Sequence, residues 1–189
     1  MPRVTDRIRN GVDTEHLFAT RNVIKAEPSL AHFSFRATNR WIQGSHSRTT
    51  IRDFYGAGEE DRSRSESFVL DADEPAILLG ADTGATPCEH LLHALAACLT
   101  TSIVFVAAAR GIRLTEVQSH IEADMDLRGA LGISDEPRRG FERIRAKFTV
   151  KGDAPAVELR AVVSRARERA AVLDMLTNGV VVELEVAAE

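Results

Sequence analysis

Two cysteines in one uncharged stretch are the side chains of this sequence best suited to chemistry. Cys98 lies in the middle of residues 86–112, and Cys88 lies near the start of the same stretch. A thiolate is a nucleophile and a metal ligand, whereas a thiol in a helix core is most often a small buried apolar group. Cys98 lies about 12 residues after the predicted helix start, beyond the reach of the helix dipole, so its activation requires a cation from another element.

Cys88 lies in the first turn of the same predicted helix, where backbone N–H groups favour a thiolate. The alternative is an ordinary surface cysteine. A disulfide between the two cysteines is excluded, because ten residues of helix separate them by about 15 Å. His90 and His93 add metal-capable side chains nearby, but no CxxC or HxxxH motif accompanies them, and we predict no metal site.

The stretch that carries these residues has the signals of one long helix. Thr86 is placed to be its N-cap, Pro87 its first residue, and Glu89 the second half of a capping box. No charged residue occurs between Glu89 and Arg110, and Gly111 ends the helix. A helix that is apolar on all sides must be buried on all sides.

A membrane span is the minor alternative for this helix, because its uncharged length would also cross a bilayer. Amphipathic strands flank it and no second such segment exists, so we predict a central helix in a soluble core. One sheet cannot cover such a helix alone. We therefore expect a second subunit on its opposite side.

Composition excludes several other classes of protein. The net charge of −4 and the scattered arginines give no electrostatic footprint for nucleic acid. Two cysteines form no disulfide framework, and the N-terminus has no apolar signal core, which favours a reducing cytoplasm. No P-loop, GxGxxG or Ser-His-Asp signature appears, so no cofactor is expected.

Hydrophobic periodicity predicts an α+β fold. Residues 1–12 are expected to be a polar arm, followed by a short helix over 13–25 with Leu17, Phe18 and Val23 inward, which Pro28 ends. A second amphipathic helix is predicted over 155–170, with Val157, Leu159, Val162, Val163 and Ala166 inward. Strands are predicted over 32–42, 49–55, 67–70, 116–127, 141–150 and 180–186. The strands at 116–127 and 141–150 are expected to pair as a hairpin with a long connection.

Two arginines and the only tryptophan lie on or beside the first two predicted strands. Arg40 and Arg48 are expected to be solvated, unless one of them folds over Cys98 and supplies the missing cation. Trp41 is expected in the core, with a pocket wall as the alternative.

Ordered motifs along most of the chain resemble the OsmC/Ohr family, in particular OsmC-related proteins with a longer N-terminus. They are Asn39-Arg40-Trp41-Ile42-x-Gly44, Asp73-Glu74-Pro75, Gly80-x-Asp82, Pro87-x-Glu89-x-Leu91-Leu92-x-Ala94-Leu95-Ala96-x-Cys98-Leu99, Ala109-Arg110-Gly111-Ile112, Asp126-Leu127-Arg128-Gly129-x-Leu131-Gly132 and Asp174-Met175-Leu176-Thr177-Asn178-Gly179. The resemblance divides the chain into an N-terminal arm and helix, residues 1–30, and an OsmC-like domain, residues 31–189.

The resemblance implies an intertwined homodimer in which curved antiparallel sheets wrap around two central helices. It implies active sites at the subunit interface, where a cysteine attacks organic hydroperoxides and becomes a sulfenic acid. An arginine stabilises the thiolate and a glutamate orients that arginine. A second cysteine then forms a disulfide, which a dithiol reduces.

Cys98 matches the attacking cysteine, and Arg48, with Arg40 as the weaker choice, matches the arginine. The family glutamate falls on Cys88, so Glu89 is one residue away from its place. The family's resolving cysteine falls where this chain has Ala170-Ala171-Val172.

The resemblance therefore implies a one-cysteine, thiol-dependent peroxidase for organic hydroperoxides in the oxidative stress response, with an external thiol reductant. The alternative is a homodimer that binds a small apolar molecule without turnover. A third possibility is a purely structural dimer with a vestigial thiol.

Overall fold

The structure, a computed structural model, describes residues 7–188. Half of the predicted polar arm, residues 1–6, lies outside the described residues. The chain forms two compact units. One comprises Asp13–Leu91, and the other combines the segment up to Val12 with the chain from Leu92 onward.

Two short strands and a helix begin the described chain. Ile8–Arg9 (β1) pairs with Val12–Asp13 (β2), and helix α1 follows over Thr14–Ala26. The Asp13 side chain caps α1 by accepting a hydrogen bond from the backbone N–H of His16 at 3.0 Å. The predicted helix over 13–25 is therefore confirmed. Leu17 is half-buried, but the predicted inward positions of Phe18 and Val23 are wrong for the single chain, where both are exposed.

Two three-stranded antiparallel sheets complete the unit that contains α1. Their orders are β3-β6-β7 and β4-β5-β8. The strands are Ser34–Phe35 (β3), Thr38–Gln43 (β4), His46–Ile51 (β5), Phe54–Gly56 (β6), Glu59–Asp61 (β7) and Phe68–Ala72 (β8). Short 3-10 turns occupy Pro28–Ala31 and Ala76–Leu78.

The strands predicted in this unit exist with different bounds. The predicted strand over 32–42 is divided into β3 and β4, and the strand predicted to begin at residue 49 begins at His46. Between the predicted strands over 49–55 and 67–70 lies the unpredicted strand β7, which pairs with β6. Trp41 was expected in the core, but it is 72% exposed, and its indole Nε1 donates to the Gly44 carbonyl at 2.9 Å.

The second unit is built on a long helix and a long hairpin. Its elements are helix α2 (Pro87–Ala109, which starts in the first unit), β9 (Leu114–Asp124), α3 (Leu127–Ala130), β10 (Arg143–Gly152), α4 (Ala156–Arg167) and α5 (Ala171–Asn178). The antiparallel pairing of β9 with β10 confirms the predicted hairpin with a long connection. The helix predicted from Pro87 to before Gly111 is confirmed as α2, and the helix predicted over 155–170 is confirmed as α4, although α4 ends at Arg167.

The core of this unit lies between α2, the hairpin and α4. Ile103, Ala107, Val162 and Ala166 are almost fully buried, and Phe148 of β10 packs against them. Leu159 and Val163 are partly buried as predicted, but Val157 is exposed because it lies in the first turn of α4, on its outer side.

Residues 180–186 were predicted to be a strand, and this prediction is wrong in the described structure. No ladder includes them, and Val181, Leu184 and Val186 are exposed. The prediction also missed α5, which is only eight residues long. The alternation of valines with glutamates would give a strand one apolar and one polar face. A strand forms, however, only when the edge of a neighbouring strand supplies hydrogen-bond partners.

Helix α2 is not buried on all sides within one chain. α2 is long and apolar enough to cross a membrane, as are the core helices of some soluble proteins, and 33% of its most apolar 18 residues is buried. Leu95, Leu99 and Ile103 face the core, whereas Leu91 and Phe105 are exposed. The single chain thus leaves an apolar face of α2 uncovered.

Candidate functional site

Cys98 lies half-buried beside the start of α5. It packs with the buried residues Leu95, Leu99 and Ala170 of one apolar cluster. Its Sγ accepts a hydrogen bond from the backbone N–H of Val172 at 3.5 Å. Among the described residues, the sulfur therefore lies in apolar surroundings with one polar contact, which comes from the start of α5.

The contact follows from how α5 begins. Ala170 is the N-cap residue with an extended backbone, and an alanine offers no side-chain acceptor to the free N–H groups of the first turn. The N–H of Val172, the second residue of α5, donates to Cys98 Sγ instead. An N–H at the positive end of a helix dipole stabilises negative charge, so this geometry can stabilise a Cys98 thiolate. The residue pattern predicted only a cation in this role, not a backbone N–H.

The segment predicted to replace the family's resolving cysteine is the one that packs on Cys98. Ala170 is buried and Val172 is half-buried in the same cluster. A cleft of about 630 Å³ lies on this region of α4 and α5, and Ala170, Ala171 and Leu173 form part of its lining.

Arg48 lies in the middle of the β4-β5-β8 sheet, opposite Asp71 of β8. Arg48 Nε donates to Asp71 Oδ1 at 2.9 Å, and Nη2 donates to Oδ2 at 3.2 Å. The hydrogen bond with Asp71 raises the pKa of Arg48, so the guanidinium is charged at any physiological pH. His46 Nε2 lies 2.8 Å from the same Oδ1. Hydrogen bonds from Arg48 first and His46 second lower the pKa of Asp71 to about 2.

Arg40 is the cross-strand neighbour of Arg48 on β4 and is exposed. Two like charges opposite each other on one sheet repel, and Asp71 on the other side of Arg48 offsets this repulsion. The structure therefore brings the two predicted arginines together, with Asp71 as the carboxylate that the prediction missed.

A second carboxylate, Asp73, fixes the loop that follows β8. Its side chain is 1% exposed and accepts five hydrogen bonds. The donors are the Ser45 hydroxyl, the Thr83 hydroxyl and the backbone N–H groups of Glu74, Ala81 and Thr83. The Ser45 hydroxyl first, and the Thr83 N–H next, hold the pKa of Asp73 well below its usual range. Asp73 thus remains ionised and holds the loop from residue 74 to 83 on the sheet.

Glu89 forms the predicted capping box at the start of α2. Its N–H donates to Thr86 Oγ1 at 3.2 Å, and its Oε2 accepts from the Thr86 N–H at 2.8 Å. His90 Nε2 lies 3.1 Å from the Asp71 carbonyl and joins the helix start to β8. Glu89 as the group that orients an arginine stays a prediction, as does the contact of an arginine with Cys98.

Cys88 has a raised pKa, whereas an activated thiol has a lowered one. Burial raises the pKa of Cys88, and the carboxylates of Glu74 and Glu89 raise it further. The expected help from the helix dipole is therefore outweighed by lost hydration and negative charge. Within residues 7–188, no group of three His, Cys, Asp or Glu side chains is placed to hold a metal ion.

Asp71 and Val172 are the site residues that sequence reasoning missed. The alternation of residues 67–70 predicted a strand, and the observed strand extends to Ala72. Had the predicted strand ended at Ala72, it would have included Asp71. A contact made by the backbone of Val172 leaves no signal in a residue type.

Comparisons with known proteins agree with this architecture. The family model described as OsmC-like protein matches residues 80–185. The crystal structure of an OsmC-like protein from Mycoplasma pneumoniae superposes with a TM-score of 0.58 at 15% identity, over 76% of this chain and 86% of that chain. No curated protein sequence matches this chain.

Two further solved structures illustrate the range of similar folds. An organic hydroperoxide resistance protein OsmC from Legionella pneumophila has a TM-score of 0.50 at 17% identity, over 77% of this chain and 91% of that chain. An OsmC-like protein of unknown function from Vibrio cholerae has a TM-score of 0.52 at 12% identity, over 76% and 94%. At these identities the likeness is one of fold.

Proposed function

The chain belongs to the OsmC-like protein family, and we propose that it is a one-cysteine, thiol-dependent peroxidase that detoxifies organic hydroperoxides in the oxidative stress response. Cys98 is the nucleophile. The observation that carries the proposal is the hydrogen bond of Val172 N–H to Cys98 Sγ, because it gives a half-buried thiol a donor suited to its charged form.

The reaction proceeds in three steps. The Cys98 thiolate attacks the outer oxygen of the hydroperoxide, the O–O bond breaks, and a proton completes the alcohol product, which leaves Cys98 as a sulfenic acid. A thiol from outside attacks this sulfur, forms a mixed disulfide and releases water. A second thiol then regenerates Cys98 and leaves as a disulfide, so two thiols reduce one hydroperoxide.

An external reductant is part of the proposal because the chain offers no second thiol at the right place. Its other cysteine, Cys88, lies ten residues earlier in the same helix, which is about 15 Å along the axis. By the resemblance, the family's resolving cysteine falls at Ala170, which packs in the same cluster as Cys98. Arg48, with Arg40 as the weaker candidate, stabilises the thiolate in this proposal, and Glu89 is the candidate that orients it.

The working form is a homodimer in the cytoplasm. The exposed Leu91 and Phe105 of α2 support this part of the proposal, since a second copy would remove that apolar face from water. Sedimentation at micromolar concentration tests it, and a monomer with full activity would refute it.

The decisive experiment follows hydroperoxide consumption with a thiol reductant. The Cys98→Ser variant is expected to lose the activity, whereas Cys88→Ser is expected to keep it. Cys98→Ser with unchanged consumption would reject the peroxidase.

The alternative, a dimer that binds a small apolar molecule without turnover, is favoured by the apolar surroundings of Cys98. It predicts that Cys98 stays unmodified by hydroperoxide in intact-mass measurements and that an apolar molecule co-purifies. Oxidised Cys98 without a bound molecule excludes it.

A further inference from the structure

The backbone nitrogen of Val172 lies close enough to Cys98 to react with an oxidised sulfur. Its N–H donates to Cys98 Sγ at 3.5 Å, and both residues belong to the same compact unit. Among residues 7–188, this nitrogen is the one hydrogen-bond partner of the sulfur. The contact is surrounded by the buried apolar residues Leu95, Leu99 and Ala170.

The chain offers no second thiol to an oxidised Cys98. Cys88 is the only other cysteine of the sequence, and it lies ten residues earlier in the same helix, about 15 Å along the axis. A sulfenic acid that meets no thiol is oxidised further to a sulfinic acid, which thiols do not reduce. A sulfenic acid can instead condense with a backbone nitrogen to a sulfenyl amide. Val172 supplies a nitrogen at the right place for this second course.

We propose that Cys98, once oxidised to the sulfenic acid, forms a sulfenyl amide bond with the backbone nitrogen of Val172. This inference rests on the proposed function, because the hydroperoxide supplies the oxidation. The nitrogen attacks Sγ, the S–O bond breaks, and the amide proton leaves with the hydroxyl as water. The sulfur keeps its oxidation state in this step. The product links α2 covalently to α5 and leaves no sulfenic acid for a second hydroperoxide.

The start of α5 can accept a substituent on this nitrogen. Val172 is the second residue of α5, so its N–H has no acceptor within the helix, and the new bond costs no helical hydrogen bond. Proline, whose nitrogen is also substituted, is tolerated in a first helical turn for the same reason. Because the N–H points at the sulfur, its deprotonation leaves a nitrogen lone pair along the line of the new bond.

Bond formation requires the nitrogen and the sulfur to approach each other. Their separation must fall from 3.5 Å to less than about 2 Å, which is shorter than a disulfide bond. The eight-residue helix α5 can make this movement, because Met175 and Leu176 are exposed and the preceding Ala170 is small. The apolar surroundings exclude water, which slows hydrolysis of the product.

External thiols reverse the bond with the stoichiometry of the proposed function. A thiol attacks Sγ, the S–N bond breaks, and the Val172 nitrogen regains a proton. A second thiol then reduces the mixed disulfide and regenerates Cys98. The sulfenyl amide is thus a protected form of the peroxidase that accumulates when hydroperoxide exceeds reductant.

The first test treats the C88S variant, in which Cys98 is the only cysteine, with excess organic hydroperoxide and no thiol. Intact mass is expected to show the loss of two hydrogens per chain, whereas a sulfenic acid gains one oxygen. Tryptic digestion without reductant should yield peptide 65–110, which contains Cys98, joined to peptide 170–189, which contains Val172. A thiol added afterwards should restore the original mass. A gain of oxygen without joined peptides, or a doubled chain mass, would overturn the inference.

A pair of proline variants in the C88S background tests the nitrogen itself. V172P removes the N–H that would be replaced, and A171P is the matched control that keeps it. When the Cys98 thiol is fully consumed, A171P should lose two hydrogens and V172P should gain oxygen. A thiol added later should restore hydroperoxide consumption in A171P but not in V172P, because thiols do not reduce a sulfinic acid. Two hydrogens lost in both variants would refute the assignment to Val172.

The outcomes distinguish this inference from the proposed function. A Cys98 that hydroperoxide leaves unmodified would refute both. Hydroperoxide consumption that depends on Cys98, without joined peptides, would keep the proposed function and refute this inference alone. If V172P does not fold, the joined peptides in C88S decide. In variants with an added cysteine, a disulfide consumes two thiols and the sulfenyl amide one, so labelling with iodoacetamide after unfolding separates them.

Discussion

The backbone N–H of Val172 points at the Cys98 sulfur over 3.5 Å, although 74 residues separate the two in the sequence. The contact joins the middle of α2 to the first turn of α5. Because this donor is a backbone N–H, Cys98 keeps it whatever charged side chains are mutated. Because Ala170 provides no cap, the sulfur takes the position that a capping oxygen usually has.

Removing this donor should slow the reactions of Cys98. V172P deletes the N–H within the first helical turn, where proline is tolerated. A171P is the matched control, because it places proline at the first position after an extended Ala170 and keeps the Val172 N–H. Iodoacetamide should alkylate Cys98 about threefold to tenfold more slowly in V172P than in A171P, since a hydrogen bond contributes about 1 kcal/mol. Equal rates would show that the N–H does not activate the sulfur.

Introducing a thiol at Ala170 should create an internal resolving cysteine. Ala170 packs in the same cluster as Cys98, so A170C places a second sulfur beside the first. After treatment with hydroperoxide, intact mass should show the loss of two hydrogens in A170C, and iodoacetamide should no longer label Cys98. S164C puts a thiol on the exposed side of α4 and serves as the control. A sulfenic acid that persists in A170C would contradict the placement.

The sequence predicted the elements whose hydrophobic pattern runs over many residues, or whose start is specified by residues within one helical turn. The Thr86-Pro87-x-Glu89 start of α2 needs only neighbours within one turn, and the two capping-box hydrogen bonds confirm it. The hairpin of β9 and β10 has ten or more residues per strand, which makes alternation unambiguous.

The missed features depend on residues that are distant in the sequence. Asp71 contacts Arg48 across 23 positions, and pairing depends on a register that alternation alone does not fix. Residues 180–186 alternate like a strand, yet no described strand edge pairs with them. The attachment of Cys98 to α5 escaped prediction because its donor is backbone.

The stabilisation from Asp71 should depend on pH with a definite sign. Its folded pKa of about 2 lies below the ordinary 3.8, so the contribution is complete above about pH 4 and is lost as pH falls through 2. The melting-temperature difference between wild type and D71N should therefore be constant from pH 7 to about 5 and shrink below 4. D135N, at a carboxylate whose side chain is 94% exposed, should melt with the wild type throughout. A difference that grows on acidification would contradict the assignment.

Gly80 should tolerate no side chain, because the loop fixed by Asp73 passes too close. An added Cβ would lie 1.7 Å from the Glu74 carbonyl oxygen, which requires the backbone to move. We expect G80A to destabilise the protein by about 2 kcal/mol or more in urea unfolding. G140A is the matched control, since nothing lies within 4 Å of its added Cβ. A G80A protein as stable as G140A would show that the loop is not held as described.

Cys88 in the folded protein should react with iodoacetamide more slowly than a free cysteine does, because its raised pKa leaves little thiolate near neutral pH. Burial is the first cause, followed by the charges of Glu74 and Glu89. In the C98S background, where Cys88 is the remaining thiol, iodoacetamide at pH 7.5 should react several-fold more slowly than with free N-acetylcysteine. Unfolding in urea restores hydration and should bring the two rates together.

The charge contribution can be separated from burial at the same residue. E89Q keeps the capping box, because glutamine also accepts the Thr86 N–H, but it removes one negative charge. Since burial is the larger cause, E89Q should accelerate Cys88 alkylation only about twofold. A Cys88 that reacts faster than N-acetylcysteine in the folded protein would mean that the dipole of α2 outweighs both effects, and Cys88 would then replace Cys98 as the thiol to test for peroxide reduction.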